Sequence, residues 1–150
     1  MRGITEILRD AQDRAKEMRL PYAGALLPDE AHELMQSAPG AVLVDVRTRA
    51  ELDWVGGIPG AAEIEWILYP DMENNPGFLA QLAGSVDREA LVMFICRSGA
   101  RSHHAAVAAT LAGYTACYNV LEGFEGDKDG QGHRNSVNGW RKRGLPWDQL

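Results

Sequence analysis

Hydrophobic and polar positions follow a helical period in the first part of the chain. From about residue 3 to residue 18, apolar side chains recur every three or four positions with charges between them, which predicts an amphipathic helix. A second helix is predicted from Pro28 to the Pro39-Gly40 pair, because proline is favoured in the first turn of a helix and a Pro-Gly pair ends one.

The pattern then changes to short, continuous apolar runs. They occupy residues 41–46, 91–95 and 115–121. Runs without alternation are typical of strands buried on both faces, as in a parallel sheet. The alanine-rich segment 105–112, closed by Gly113, predicts a helix between the last two strands and hence a βαβ unit. Weaker strands are predicted at residues 23–27 and 61–64.

These elements predict an α/β domain of three layers, with a central, mostly parallel sheet of about five strands and helices on both faces. Residues 69–85 are turn-rich and then helical, and the glycine-rich residues 122–139 predict a long loop before a short helix near Trp140. With no internal repeat or linker, we expect an N-terminal amphipathic helix within residues 1–22 that packs on a domain of residues 23–150.

Composition narrows the class of protein. The 150 residues carry 15 Lys+Arg and 21 Asp+Glu, a net charge of −6, which disfavours nucleic acid as a partner. The longest apolar run, 90–96, is far shorter than the ~20 residues that span a bilayer, and the mixed charges of the N-terminus exclude a secretory signal. Cys96 and Cys117 form neither a disulfide framework nor a zinc motif. We expect a cytoplasmic protein with no membrane partner.

Cys96 ends an apolar strand and precedes a glycine-containing turn and a helix. Ligands bind at this edge of parallel sheets. The free N–H groups of a helix N-terminus, a nest formed around Gly99, and the charges of Arg97 and Arg101 all favour a thiolate or an oxyanion. We therefore expect Cys96 to be largely thiolate and nucleophilic. Residues 90–121 contain no Asp or Glu, which predicts a positive mouth that favours small anions. Cys117, inside an apolar strand, is predicted to be structural.

The segment from Cys96 to Ser102, with sequence CRSGARS, resembles the active-site loop of the rhodanese-like sulfurtransferases. The resemblance extends to Leu43-Val44-Asp45-Val46-Arg47, Gly57-Ile58-Pro59-Gly60-Ala61, Asn119-Val120-Leu121-Glu122-Gly123-Phe124 and the tail from Trp140 to Trp147, and so covers about residues 24 to 147. Gly57 stands where the family's motif has histidine. Residues 69–85 and 126–138 are longer than a minimal member needs and are candidates for acceptor selection.

The resemblance implies a thiosulfate sulfurtransferase that carries sulfane sulfur as a persulfide on Cys96. The donor would be a small anion such as thiosulfate, and the acceptor cyanide or a thiol, with a protein acceptor left open. Substrate binding is assigned to Arg97, Ser98, Gly99, Ala100, Arg101 and Ser102. Asp45 and Arg47 would support the neighbouring loop. No metal and no organic cofactor is implied.

Several alternatives stay open at this point. A persulfide-carrying sulfur relay, or a non-catalytic protein-interaction module, would keep the same residues. A phosphatase or arsenate reductase is disfavoured, because that pattern needs one more residue than the four between Cys96 and Arg101. The adjacent His103 and His104 do not face each other on a helix, which disfavours a shared metal. Residues 127–138 partly fit a calcium loop but end in Asn138 rather than glutamate. The donor, the acceptor and the oligomeric state stay undetermined.

Overall fold

A computed structural model describes residues 2–149, so the first residue of the predicted segment 1–22 and the last of 23–150 lie outside the described range. Five helices and seven strands follow one another in this part of the chain. In order they are α1 (Ile4–Met18), β1 (Gly24–Leu26), α2 (Pro28–Ser37), β2 (Val42–Asp45), α3 (Arg49–Trp54), β3 (Ala62–Glu63), β4 (Ile67–Leu68), β5 (Glu73–Asn74), α4 (Phe78–Ser85), β6 (Leu91–Ile95), α5 (Ala100–Leu111) and β7 (Ala116–Val120). Within residues 2–149, no helix combines the length and apolar character that crossing a membrane needs.

Five of the strands form one parallel sheet in the order β1-β7-β6-β2-β3, which confirms the predicted central sheet. Strand β6 lies in the middle, with Ile95 opposite Asp45 of β2 and Phe94 opposite Asn119 of β7. The residue after β6 therefore leaves the sheet between the carboxyl ends of two neighbouring strands. This is where open parallel sheets bind ligands.

Helices cover both faces of the sheet, as the apolar runs predicted. One core joins α4 and α5 to the sheet, and the other joins α1 and α2 to it. The first core is centred on Phe94, Val92, Val44, Phe78, Leu82 and Ala105. The second is centred on Ile95, Met93, Leu43, Ile7, Ala31 and Leu34. Successive residues of β6 thus enter opposite cores, because side chains alternate across a strand.

The N-terminal helix α1 packs closely on β1. A Cβ atom at Gly24 would lie 2.5 Å from the Tyr118 ring and 3.0 Å from the Ala11 backbone, so only glycine allows this approach. Arg14 of α1 also forms an ion pair, 2.7 Å long, with Glu30 of α2, whose side chain is buried. Apolar packing and a charged contact together hold the helix against the domain.

Helix α5 begins at Ala100, five residues before the alanine-rich segment that predicted it. Its N-cap residue, Gly99, has a left-handed backbone with φ +108°, which glycine adopts without steric cost. Apolar periodicity could not reveal this first turn, because its residues are small or charged. The consequence is that Arg101 and Ser102 lie in the helix rather than in a loop.

Three further elements were not predicted. Helix α3 is short, and Thr48 caps it by accepting a hydrogen bond from the Glu51 N–H group. Strands β4 and β5 form an antiparallel hairpin outside the main sheet; β4 immediately precedes the segment predicted as turn-rich, and β5 lies within it. Elements of two to six residues are too short to show a period.

The prediction of a short helix near Trp140 was wrong, since residues 140–144 form turns. Trp140 is fully buried, and its indole N–H donates a 2.8 Å hydrogen bond to the carbonyl of Pro146. The chain reverses sharply there, with Gly139 at φ +107° and Gly144 at φ +77°, so a regular helix does not form. Trp140 nevertheless anchors the tail to the core formed with α1 and α2.

Candidate active site around Cys96

Cys96 is the first residue after β6 and is 1% exposed. Two groups from the turn that follows approach its sulfur. The Gly99 N–H group donates a hydrogen bond to Sγ over 3.1 Å, and the Ser102 hydroxyl lies 3.3 Å from the same atom. The structure thus places the Gly99 N–H group and the Ser102 hydroxyl, both predicted to belong to the binding loop, beside the sulfur.

Residues 96–102 comprise the turn after β6 and the first residues of α5, and are called the cysteine loop below. The neighbouring strand β7 contacts this loop. The Asn119 side-chain N–H group, at the end of β7, donates to the carbonyl of Gly99 over 3.3 Å. This contact orients Gly99, the residue whose N–H group donates to the sulfur. Asn119 is 3% exposed, and its side-chain oxygen has no hydrogen-bond partner in the described structure.

The segment after β7 crosses directly behind the cysteine loop. The Phe124 N–H group donates to the carbonyl of Cys96 over 2.8 Å, and the Glu125 N–H group donates to the carbonyl of Arg97 over 3.0 Å. A Cβ atom at Gly123, where φ is +71°, would lie 2.5 Å from the Arg97 backbone. Gly123 is thus required for the close approach. Gly123 belongs to the segment from Asn119 to Phe124 that resembles the family, but the sequence analysis did not predict it to be a residue of the site.

The sequence suggested that the charge of Arg101 acts directly on a thiolate or an oxyanion, but Arg101 is paired with a carboxylate in the structure. Its guanidinium group donates two hydrogen bonds, of 2.7 and 2.9 Å, to the carboxylate of Glu51 on α3. Burial alone would lower the pKa of Arg101, but the contact with Glu51 outweighs it and raises that pKa. Of the two cations from which a positive mouth was predicted, Arg101 is therefore paired with a carboxylate. The counter-charge comes from a segment 50 residues away, where composition within 90–121 could not show it.

Glu51 serves two elements at once. Its carboxylate accepts a 3.0 Å hydrogen bond from the Thr48 N–H group, which closes the capping box of α3, while it also holds Arg101. Burial alone would raise the pKa of Glu51, but the hydrogen bond and charge of Arg101, with the contacts from Thr48, hold the pKa at about 2. Glu51 is therefore ionised at neutral pH and locks α3 to the cysteine loop.

Asp45 and Arg47 lie beneath the site. Both are fully buried, and the Arg47 guanidinium group donates to the Asp45 carboxylate over 2.7 and 2.9 Å and to the carbonyl of Gly56 over 2.9 Å. The same guanidinium group stacks 4.0 Å above the Phe124 ring. No hydrogen bond joins this pair to Cys96 in residues 2–149. The pair instead fixes the segment that bonds to the loop backbone.

A family model for the rhodanese-like domain matches residues 27–129 of the chain. The chain belongs to the rhodanese-like domain family. This confirms the family that the motifs around Cys96 resemble. The mostly parallel five-strand sheet with its helices matches the fold of rhodanese-like structural neighbours.

Relatives of this rhodanese-like domain have been found by sequence and by structure. It is 39% identical over 124 residues to an uncharacterized protein from Rickettsia rickettsii, a match that covers 79% of this chain and 91% of that one. It is 28% identical over 134 residues to the chloroplastic thiosulfate sulfurtransferase 16 of Arabidopsis thaliana, with 88% and 97% covered. It is similar to the crystal structure of Rv0390 from M. tuberculosis, with a TM-score of 0.79, 46% identity, and 86% and 99% covered.

The remaining predicted binding residues of the rhodanese-like domain take different positions. Arg97 is exposed and has no ion-pair partner within the described residues. Ser98 is half-buried and Ala100 is exposed, and neither side chain bonds to the sulfur. Of the predicted cradle, the structure brings the Gly99 N–H group and the Ser102 hydroxyl to Sγ. Arg97 is thus the cation of this segment that forms no ion pair within the described residues.

A cleft of about 740 Å³ opens beside the loop. Its inner end is formed by Arg97 and Arg101, and its walls come from α3 and from the β4–β5 hairpin. The wall residues include Trp54, Tyr69 and Met72. The predicted acceptor-selecting segment 69–85 therefore reaches the site through its first residues. The other long segment, 126–138, contributes no residue to this cleft.

The two alternatives for metal binding gain no support from the geometry. Within residues 2–149, no group of three or more His, Cys, Asp or Glu side chains is arranged to hold a metal ion. The Asp129 carboxylate instead accepts hydrogen bonds from the Gln131 and His133 N–H groups, which close its own loop. His103 lies 2.7 Å from the Tyr22 hydroxyl, and burial lowers the pKa of His103.

Proposed function

We propose that this rhodanese-like domain is a sulfurtransferase that carries sulfane sulfur as a persulfide on Cys96. One observation carries the proposal: the Gly99 N–H group and the Ser102 hydroxyl converge on a single buried cysteine sulfur at the start of α5. A helix N-terminus and aimed donors favour an anionic sulfur. The relationship to a thiosulfate sulfurtransferase supports the same reaction class.

In the first step, the Cys96 thiolate attacks the outer sulfur of thiosulfate. A new S–S bond forms as the sulfur–sulfur bond of the donor breaks, and the bonding electron pair leaves with sulfite. The charge balances, because a monoanion and a dianion yield a persulfide anion and a sulfite dianion. No external oxidant or proton is required.

Arg97 is the residue that we assign to the departing sulfite, because it lines the cleft and forms no ion pair within the part of the chain that the structure describes. Guanidinium groups bind oxyanions through two parallel hydrogen bonds. Arg101 contributes less net charge than the sequence suggested, since Glu51 neutralises it. Its role is to hold the first turn of α5 in place, while the Gly99 N–H group stabilises the persulfide.

In the second step, a thiophilic acceptor takes the outer sulfur. With cyanide, the carbon attacks the outer sulfur, the persulfide S–S bond breaks, and thiocyanate leaves as the Cys96 thiolate is restored. A thiol acceptor reacts in the same way and becomes a persulfide itself. The hydrogen bond from Gly99 is present before and after the cycle, so the loop need not reorganise.

The proposal is tested by the intact mass of the reduced protein after brief exposure to thiosulfate or to polysulfide. We expect the mass to increase by one sulfur atom in the wild type and in Cys117→Ala, but not in Cys96→Ala. Cys117 is the matched control because it is equally buried, and burial raises the pKa of its thiol. Mass gain in Cys96→Ala, or none in the wild type with either donor, would overturn the proposal. Gain without turnover to cyanide or thiols would indicate a relay.

A further inference from the structure

The cleft beside the cysteine loop carries an exposed apolar rim. Trp54 on α3 is 71% exposed, and across from it the β4–β5 hairpin exposes Tyr69 by 55% and Met72 by 49%. The Trp54 and Tyr69 rings meet edge to face, with centroids 6.2 Å apart. Trp, Tyr and Met are enriched where proteins bind other proteins, and large apolar side chains clustered at a surface mark such sites.

The cleft is much larger than the small substrates of the proposed reaction need. Its volume of about 740 Å³ lies in the range of pockets that bind ligands of drug size, roughly 300 to 1,000 Å³. Thiosulfate and cyanide would fill only the inner end, beside Arg97 and Arg101. The outer part, between α3 and the hairpin, is left for a larger molecule.

The depth of the reactive sulfur restricts the shape of that molecule. Cys96 is 1% exposed, whereas the rim side chains project into solvent. The convex surface of a folded partner cannot reach a sulfur at this depth. A cysteine thiol is carried on a single methylene group, so the backbone of the acceptor has to enter the cleft. An extended segment can do this, because its neighbouring residues can lie along the cleft walls.

Charge around the cleft is mixed. Arg97 and Glu125 both line it, with the Glu125 N–H group bonded to the Arg97 carbonyl, and the turn of the hairpin exposes Asp71 between Tyr69 and Met72. Within residues 2–149, neither Glu125 nor Asp71 forms an ion pair. A thiolate is therefore favoured beside Arg97, and a cation is favoured beside Asp71 on the hairpin.

We infer that the cleft binds an extended segment of a partner protein that presents a cysteine flanked by apolar and basic side chains, as the sulfur acceptor. The inference rests on the proposed function for its chemistry. The acceptor thiolate attacks the outer sulfur of the Cys96 persulfide anion, the S–S bond breaks, and the bonding electron pair leaves with the Cys96 thiolate. The acceptor becomes the persulfide anion, so charge balances and no oxidant is needed.

Docking is tested without sulfur chemistry, by fluorescence anisotropy with labelled peptides in which serine replaces the cysteine. One peptide flanks the serine with leucine and lysine, and the other, of equal length, with serine and glutamate. We expect the basic, apolar peptide to bind at least tenfold more tightly, and Trp54→Ser or Met72→Ser to weaken it at least tenfold. Leu111→Ser is the control, because Leu111 is 83% exposed but ends α5, far from the loop. Equal binding of both peptides, or binding unchanged in both cleft variants, would overturn the inference.

Transfer is tested on protein loaded with sulfur. At equal thiolate concentration, we expect the basic, apolar cysteine peptide to discharge the persulfide at least tenfold faster than glutathione, which is anionic. Trp54→Ser should lower the peptide rate at least tenfold relative to the cyanide rate. If both rates fall by the same factor, the rim does not select the acceptor. If the wild type loads no sulfur, the proposed function fails, while the anisotropy result still decides whether the cleft binds such segments.

Discussion

Glu51→Gln tests whether the ion pair between α3 and α5 stabilises the candidate site. The substitution keeps the shape of the side chain and one oxygen that can accept the hydrogen bond from the Thr48 N–H group. It removes the negative charge that faces Arg101 at 2.7 Å, in a pair whose side chains are both 18% exposed. The change therefore removes the charge and one of the two hydrogen bonds from Arg101, and it leaves packing and helix capping in place.

The magnitude follows from the pKa of Glu51, which falls from 4.5 to about 2 in the folded protein. Each pKa unit corresponds to about 1.4 kcal/mol, so the ionised carboxylate contributes about 3 kcal/mol to the free energy of unfolding at neutral pH. Because the folded-state pKa is the lower one, this contribution is fully present above pH 4.5 and is lost as the pH falls toward 2. Near pH 3, about 1 kcal/mol remains.

Urea unfolding at pH 7 and near pH 3, on wild type and variant, measures this contribution directly. We expect Glu51→Gln to lower the free energy of unfolding by about 3 kcal/mol at pH 7 and by about 1 kcal/mol near pH 3. Other acids with lowered pKa values, such as Glu30, titrate in both proteins and cancel. Asp53→Asn, which breaks an exposed 3.8 Å pair on the same helix, should cost less than about 0.5 kcal/mol. A Glu51→Gln effect equal at both pH values would refute the reasoning.

Three further changes address the loop and the N-terminal helix. Gly123→Ala should abolish sulfur loading, read by intact mass, because its Cβ atom would lie 2.5 Å from the loop backbone; Gly40→Ala, also at positive φ but in open space, should load normally. Ser102→Ala should slow loading about tenfold by removing the hydroxyl 3.3 Å from the Cys96 sulfur, and an unchanged loading rate would exclude that role. A chain beginning at Leu20 should melt at a lower temperature, because removing α1 uncovers one core; equal melting temperatures would contradict this packing.

The exposed hairpin shows why this wall of the cleft was visible in the sequence only as extra length. Residues 69–85 exceed what a minimal domain needs, but the pairing of Leu68 with Glu73 that shapes the hairpin involves two residues on each strand. So short a ladder has no detectable period. Its position opposite Trp54 depends on where β3 ends and on how α3 is capped, which are properties of the folded chain.

The sequence by itself determined the parallel sheet, the helices on both faces and the place of Cys96 at the end of an apolar strand. Those features follow from local rules, because continuous apolar runs, helical periods and glycine at a helix start act over neighbouring residues. Only the tertiary structure decided that Glu51 neutralises Arg101 and that Gly123 lies against the Arg97 backbone. Contacts between residues distant along the chain form through packing, and packing also decides which charges a ligand meets.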